Sequence, residues 1–383
     1  MLLRADAVLT GRRYLRPGWI EVSGDSIRAL GEGDAPAPVD RDLGPVTVVP
    51  GFVDTHLHGG GGANFTAADS EQTATAVATH RRRGTTTLIA SLVTADRDDL
   101  LRQVTALARD VRSGLLDGIH LEGPWLSPQR CGAHQPALMR DPDPAEIDAV
   151  LEAGDGTIRM VTLAPERAGA IAAIKQITAA GVVAAIGHTE ATYTQTRAAI
   201  DAGATVATHL FNAMRPLDRR EPGPVAALLE DGRVTVELIT DGVHLDPAIY
   251  RLVTKAVGHE RISLITDAMA ATGMPDGRYD LGPLAVDVAG GVARVAGSDT
   301  IAGSTATMDQ VLRFAVANSG APRDEAMQAA VAQTSVNPAR ALGLPSAELA
   351  AGSAADLVVL DERLEVSGAM RRGAWVTTEQ SPR

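Results

Sequence analysis

Two histidines one residue apart, His56 and His58, lie in the stretch PGFVDTHLHGGGG at residues 50–62. In an extended strand, side chains two positions apart project to the same side, so both imidazoles converge on one point. Other ionisable residues end later apolar runs: Glu122 in GIHLEG, His188 in VVAAIGH, His209 in ATVATHLF and Asp267 in ISLITDA. Imidazole nitrogen together with carboxylate oxygen suits a borderline divalent cation such as Zn2+. Each residue also has a plainer reading. A strand-end histidine can be a satisfied structural group, Glu122 a buried ion-pair partner and Asp267 a cap or turn residue. What favours chemistry is their joint position, always where a run ends. His80, His120 and His259 lie elsewhere, in a helix candidate, inside a run and in a connection, and are expected to pack or face solvent.

Eight short runs carry these residues: 46–54, 85–92, 118–123, 157–165, 182–188, 204–211, 234–242 and 262–268. Patterned helix candidates lie between several of them, such as 71–84 and 97–114. Alternating strands and helices predict an α/β fold with parallel strands, and eight such units predict a closed (β/α)8 TIM barrel. In such a barrel the strand ends gather at one mouth, where chemistry is done. Residues 1–49 and 345–383 carry shorter strand signals and are expected to join in one small β-sandwich domain, leaving 50–344 for the barrel. A β-hairpin insertion is expected at 277–299, turning at Gly290 and Gly291. The glycines at 59–62 are expected either to let backbone pass close to the site or to form a flexible loop.

Composition excludes several classes. The 383 residues are 45% hydrophobic and 21% charged, and the formal net charge is −12. That balance argues against a nucleic-acid partner, though a locally basic site for a small anion stays open. No apolar window is long enough to span a membrane, and no signal peptide is evident. The single cysteine, Cys131, fits a reducing compartment, and a cytoplasmic location is expected.

Longer motifs narrow the reading. The first-strand HxH with an aspartate on the eighth strand resembles the amidohydrolase superfamily. The blocks HLEGPWLSPQRCGAHQP (120–136), IGHTEATY (186–193), THLFNAMRPLDRREPG (208–223), TDGVHL (240–245), LITDAMAATG (264–273) and IAGSTATMDQ (301–310) are similar to the N-acetylglucosamine-6-phosphate deacetylase family. The resemblance runs through nearly the whole chain, including NPARALGL and GSAADLVVLD near its end. Some members of that family have glutamine and asparagine where this chain has His56 and His58.

The resemblance implies hydrolysis of N-acetylglucosamine 6-phosphate to glucosamine 6-phosphate and acetate, in amino-sugar catabolism or cell-wall recycling. It implies that Glu122, His188 and His209 bind a divalent metal, expected to be Zn2+, and it leaves open one ion or two per subunit, the second at His56 and His58 with Asp267 beside it. Asp267 would be the general base and then acid, and His244 would polarise the acetyl carbonyl. His134, Asn212, Ala213 and the segment Ile301, Ala302, Gly303 and Ser304 would contact substrate. Arg220 would bind the phosphate in a neighbouring subunit's site, which makes a homodimer the expected assembly. Choice between C4 epimers is not legible in the sequence. Lys175 and Lys255, the two lysines, lie away from strand ends, which counts against many cyclic-amide hydrolases that bridge metals through lysine. Cys131, in the loop that leads to His134, reads as an inert thiol or as a redox-sensitive lid.

Overall fold

The computed structural model describes residues 1–376; positions 377–383, the end of the expected small domain, lie outside the described residues. All eight runs contribute strands to one parallel sheet. These are β1 (Phe52–Leu57), β2 (Thr85–Leu92), β3 (Gly118–Glu122), β4 (Ile158–Leu163), β5 (Val183–Ile186), β6 (Val206–Ala207), β7 (Thr235–Ile239) and β8 (Ile262–Ile265). They neighbour one another in chain order, as repeated strand–helix crossovers dictate. The sheet closes on itself just past its last strand. Asp267 N donates to His56 O at 2.9 Å and His58 N to Ala268 O at 2.7 Å, forming a parallel bridge between Leu57 and Ala268. The fold is a (β/α)8 barrel.

Local chemistry explains the helices that alternate with these strands. Arg97–Arg112 begins where the Asp96 side chain accepts from Asp99 N, and Leu100, Val104, Leu107 and Ala108 give it a buried stripe at helical spacing. Tyr193–Asp201 opens with a reciprocal cap between Thr192 and Gln195.

The chain divides into two compact units. One holds Met1–Asp54, His80–Thr87 and the chain from Thr307 onward; the other holds Thr55–Thr79 and Leu88–Ala306. In the first, the run 46–54 divides. Thr47–Pro50 leaves the barrel pattern and pairs antiparallel with Leu357–Leu360, so that both ends of the chain share a six-stranded sheet. A four-stranded sheet built around Leu2–Ala5 and Gly18–Ser23 accompanies it. Leu3, Ile20, Val48, Leu357 and Met370 belong to one apolar cluster, as in a sandwich.

Two local expectations change. The insertion at 277–299 is a three-stranded meander, Gly277–Leu281, Leu284–Ala289 and Val292–Val295. Its last turn falls at Gly290 and Gly291, while Gly282 and Pro283 make an earlier turn within the expected first arm. The glycines after the HxH pair are neither a loose loop nor mere clearance. Gly59–Gly60 pairs with Ala63–Asn64 in a tight hairpin, turned by Gly61 and Gly62 at φ +63° and +84°. Positive φ at both turn positions matches strand twist and favours glycine. At Gly59 a Cβ would meet the Ala63 carbonyl oxygen at 2.2 Å.

Candidate active site

Three of the chemistry-bearing residues occupy the same place on their strands. His188, His209 and Asp267 each lie two residues beyond the end of β5, β6 and β8. All three adopt positive φ, of 45°, 27° and 50°. A non-glycine residue in that region costs about 1–3 kcal/mol and persists only where its surroundings over-determine it. Here the turn brings each side chain over the barrel mouth, where Glu122 ends β3 and His56 and His58 end β1.

The six side chains meet around one carboxylate. Glu122 Oε1 lies 2.9 Å from His209 Nε2 and 3.0 Å from His188 Nε2, and these nitrogens are 3.1 Å apart. Glu122 Oε2 lies 3.2 Å from His58 Nε2 and 3.5 Å from His56 Nε2, themselves 3.3 Å apart. Asp267 Oδ1 completes the second group, 3.1 Å from His58 Nε2 and 3.6 Å from His56 Nε2. Two sets of donor atoms thus share Glu122, and every member is buried. Nitrogens crowded face to face at such distances cannot all be satisfied by protons between them, and a mixed nitrogen and carboxylate set is what a divalent cation takes. The residues fit such an ion.

Electrostatics follow from the same crowding. Burial disfavours charged imidazole, but the facing carboxylates of Glu122 and Asp267 reverse this, raising His58 to about 9 and His56 well above its ordinary value. Burial alone would raise the carboxyls. The histidines outweigh it, holding Asp267 down to about 2 and Glu122 well below the usual range.

Hydrogen bonds at the far ring nitrogen sort rings whose Nε2 offers a lone pair from rings whose Nε2 carries the proton. His188 Nδ1 lies 2.9 Å from the Arg130 carbonyl, which only accepts, so Nδ1 carries the proton and Nε2 offers its lone pair. His134 is the opposite case. Its Nδ1 accepts from Thr94 N at 3.2 Å, so its neutral ring is protonated at Nε2. By distance His134 falls in a group with Glu122 and His188 that could hold a metal. Its tautomer instead makes Nε2 a donor, and burial, which lowers its pKa to about 4, keeps the ring neutral. His120 has both nitrogens committed, to Ser91 Oγ and Thr162 Oγ1, and packs in the barrel interior.

A cavity of about 330 Å³ opens over the cluster. His134, Asn212, Ala213, His244, Ile301 and Gly303 line it. Ala302 and Ser304 do not. Ala302 faces an apolar cluster, and the Ser304 hydroxyl turns inward to the Thr266 carbonyl. Asn212 N is committed to the His209 carbonyl at 3.0 Å. Arg220 is exposed on the 215–220 loop and absent from the lining, and Cys131 is half-buried and also absent.

The sequence reading missed Leu281, Asp299 and Thr300 on the wall, all from the meander and the turn after it. It also missed Asp241, whose Oδ2 lies 2.7 Å from His244 Nδ1, and Glu237, which lies within 3.4 Å of His56 Nδ1. Burial lowers the His244 pKa, but Asp241 more than restores it, leaving the ring raised. Glu237 did carry a signal, as an acid inside the apolar run VTVELI.

Comparison with known proteins places this geometry. The profile described as the amidohydrolase family matches residues 47–378. The solved D267A mutant of N-acetyl-D-glucosamine-6-phosphate deacetylase from Mycobacterium smegmatis, in complex with N-acetyl-D-glucosamine-6-phosphate, is 71% identical, with TM-score 0.98 over 99% of both chains. An N-acetylgalactosamine-6-phosphate deacetylase of Escherichia coli O157:H7 is 38% identical over 95% of this chain and 96% of its own. The Bos taurus N-acetylglucosamine-6-phosphate deacetylase is 35% identical over 100% of this chain and 95% of its own.

Proposed function

The chain belongs to the amidohydrolase family, and on that premise we propose that it hydrolyses N-acetylglucosamine 6-phosphate to glucosamine 6-phosphate and acetate, in amino-sugar metabolism. The observation that carries this reading is the buried donor cluster around Glu122 at the floor of the 330 Å³ cavity. The substrate follows from the Mycobacterium smegmatis relative and its bound ligand.

The cluster holds a divalent metal. Two Zn2+ ions per chain, one at Glu122, His188 and His209 and one at His56, His58 and Asp267, is the finer reading, supported by two donor groups meeting at one carboxylate. A bound divalent cation acidifies water and polarises a carbonyl. Asp267, ionised at any working pH, accepts the proton of the attacking water and later delivers it to the departing nitrogen. His244, held through Nδ1 by Asp241 and favoured as the imidazolium by that carboxylate, donates from Nε2 to the acetyl oxygen as negative charge develops there. His134, whose Nε2 lies 3.3 Å from Glu122 Oε2, borders the sugar phosphate as part of the cavity wall. Arg220 binds the phosphate from a second subunit, which accounts for its exposure outside its own cavity. The remote phosphate then positions the acetamide.

A cytoplasmic homodimer completes the reading. One cysteine and no disulfide suit a reducing compartment, and among the described residues no helix is long and apolar enough to cross a membrane.

Acetate release tests this, measured with N-acetylglucosamine 6-phosphate, its C4 epimer N-acetylgalactosamine 6-phosphate, and unphosphorylated N-acetylglucosamine. Fast release from the first and little from the third is expected. The Escherichia coli relative makes the second compound the rival substrate, and preference for it would shift the assignment. Release from none, by metal-loaded protein, would overturn it.

A further inference from the structure

We propose that Glu237 is a positioning residue that holds His56 in the tautomer and orientation needed to bind metal. This rests on reading the cluster as a metal centre, not on the identity of the substrate.

Glu237 lies mid-strand in β7, 1% exposed, where an unpaired carboxylate would carry a heavy desolvation cost. Both of its oxygens have partners. Oε1 accepts from Thr55 Oγ1 at 3.0 Å, and Oε2 faces His56 Nδ1 at 3.4 Å. A carboxylate at Nδ1 keeps the proton on that nitrogen and turns the Nε2 lone pair toward Glu122 and Asp267. The ring also packs edge-to-face on His120, with centroids 4.5 Å apart at 75°.

This support is selective. Nδ1 of His58 and Nδ1 of His209 are buried without a hydrogen-bond partner. Among the described residues, the Nδ1 atom of His56 is the only one of the four that faces a charged group. A carboxylate behind an imidazole also raises its basicity, so Glu237 tightens the centre that contains His56 and leaves the other alone.

Zn2+ titrated into metal-stripped protein against a competing chromogenic chelator tests this, with Co2+ absorption reporting ligand geometry. His56→Ala first identifies which binding step belongs to the His56 centre. Glu237→Gln preserves volume and the bond to Thr55, and is expected to weaken that step by roughly 10–100-fold while the His188 and His209 step holds. Thr55→Val keeps the carboxylate but frees one oxygen, and a smaller loss at the same step is expected. Unchanged affinity in Glu237→Gln overturns the proposal, as does equal weakening of both steps. Should Glu237→Gln fail to fold, Thr55→Val decides, and unchanged affinity there overturns it. These readouts need no substrate. A selective affinity loss in a protein that releases no acetate would sink the substrate assignment and leave the role of Glu237 standing.

Discussion

On one side of Glu122 the donors come from the barrel frame. His56 lies on β1 and His58 one residue past its end, and the carboxylate of Glu237 backs His56 from β7. On the other side, His188 and His209 come from two separate strand ends, and His188 is backed by the Arg130 carbonyl, part of the loop 127–134. Gly132 of that loop sits so close that a Cβ there would meet the His188 ring at 3.0 Å. The same carboxylate therefore joins a half fixed by strands to a half that depends on a loop. A frame-held half suits proton transfer, which demands constant geometry. A loop-held half couples His188 to the cavity wall, which Gly132 lines.

Cutting the shared link is expected to have the largest effect. Glu122→Ala removes both oxygens, so both metal-binding steps weaken together, and acetate release falls beyond the roughly 10²–10⁴-fold that loss of one proton-transfer group costs. Metal content measured by atomic emission, alongside acetate release, checks this. Retention of either ion at wild-type affinity would show that the two halves do not share Glu122.

Asp267→Asn separates chemistry from assembly in the half that holds His56 and His58. Turnover is expected to fall by about 10²–10⁴-fold, with the His188 and His209 step intact. A loss confined to KM, with kcat unchanged, would remove Asp267 from proton transfer.

The barrel was legible because its signals are local and repeated: eight β-branched runs, with ionisable residues gathered where several of them stop. Strand parity made His56 and His58 converge with no knowledge of the rest of the chain. Glu237 was not legible as a partner of His56, because 181 residues separate them and only barrel closure makes them neighbours. Asp241 was closer to hand, three residues from His244 in TDGVHL, yet that pairing depends on the chain folding back after β7. The segment Ile301–Ser304 shows the limit of reading a stretch as a unit. Its residues alternate between cavity and core, so Ile301 and the backbone of Gly303 line the site while Ala302 and Ser304 do not. Likewise Gly59–Gly62 read as clearance because the pairing with Ala63 and Asn64 that demands positive φ is invisible without register.

A smaller effect is expected at the wall facing both halves. His244→Phe removes one donor to the developing oxyanion, worth about 10²–10³-fold in kcat. Asp241→Asn acts through pH. Asp241 and, more weakly, Asp267 are the charges that raise the His244 pKa against its burial. The imidazolium is therefore complete below the ordinary imidazole value and is lost as pH rises through the raised one. Removing Asp241 moves that loss to lower pH, so the variant should approach wild type in acid and fall behind in alkali. A pH–rate profile displaced to higher pH, or not displaced, would contradict the donor role of His244.

The smallest effect should come from the loop-held half, and it is the sharpest test of the contrast. Arg130 forms an ion pair with Glu190, with Arg215 also within 3.7 Å of the Glu190 carboxylate. Both members of the pair are about 30% exposed, so the bond itself is worth no more than about 1 kcal/mol. Its leverage is positional. Holding Arg130 in place holds the carbonyl that sets the His188 tautomer, and Glu190 is in turn fixed through its backbone N–H by Glu166 at 2.6 Å. Glu190→Gln should therefore weaken metal at His188 and His209 by less than about tenfold, in line with the modest value of an exposed pair. The His56 step should not move. Glu237→Gln should give the mirror image, so the two variants together form a crossed pair. If Glu190→Gln weakened the His56 step instead, the division into a strand-held and a loop-held half would be wrong, however well each distance fits it.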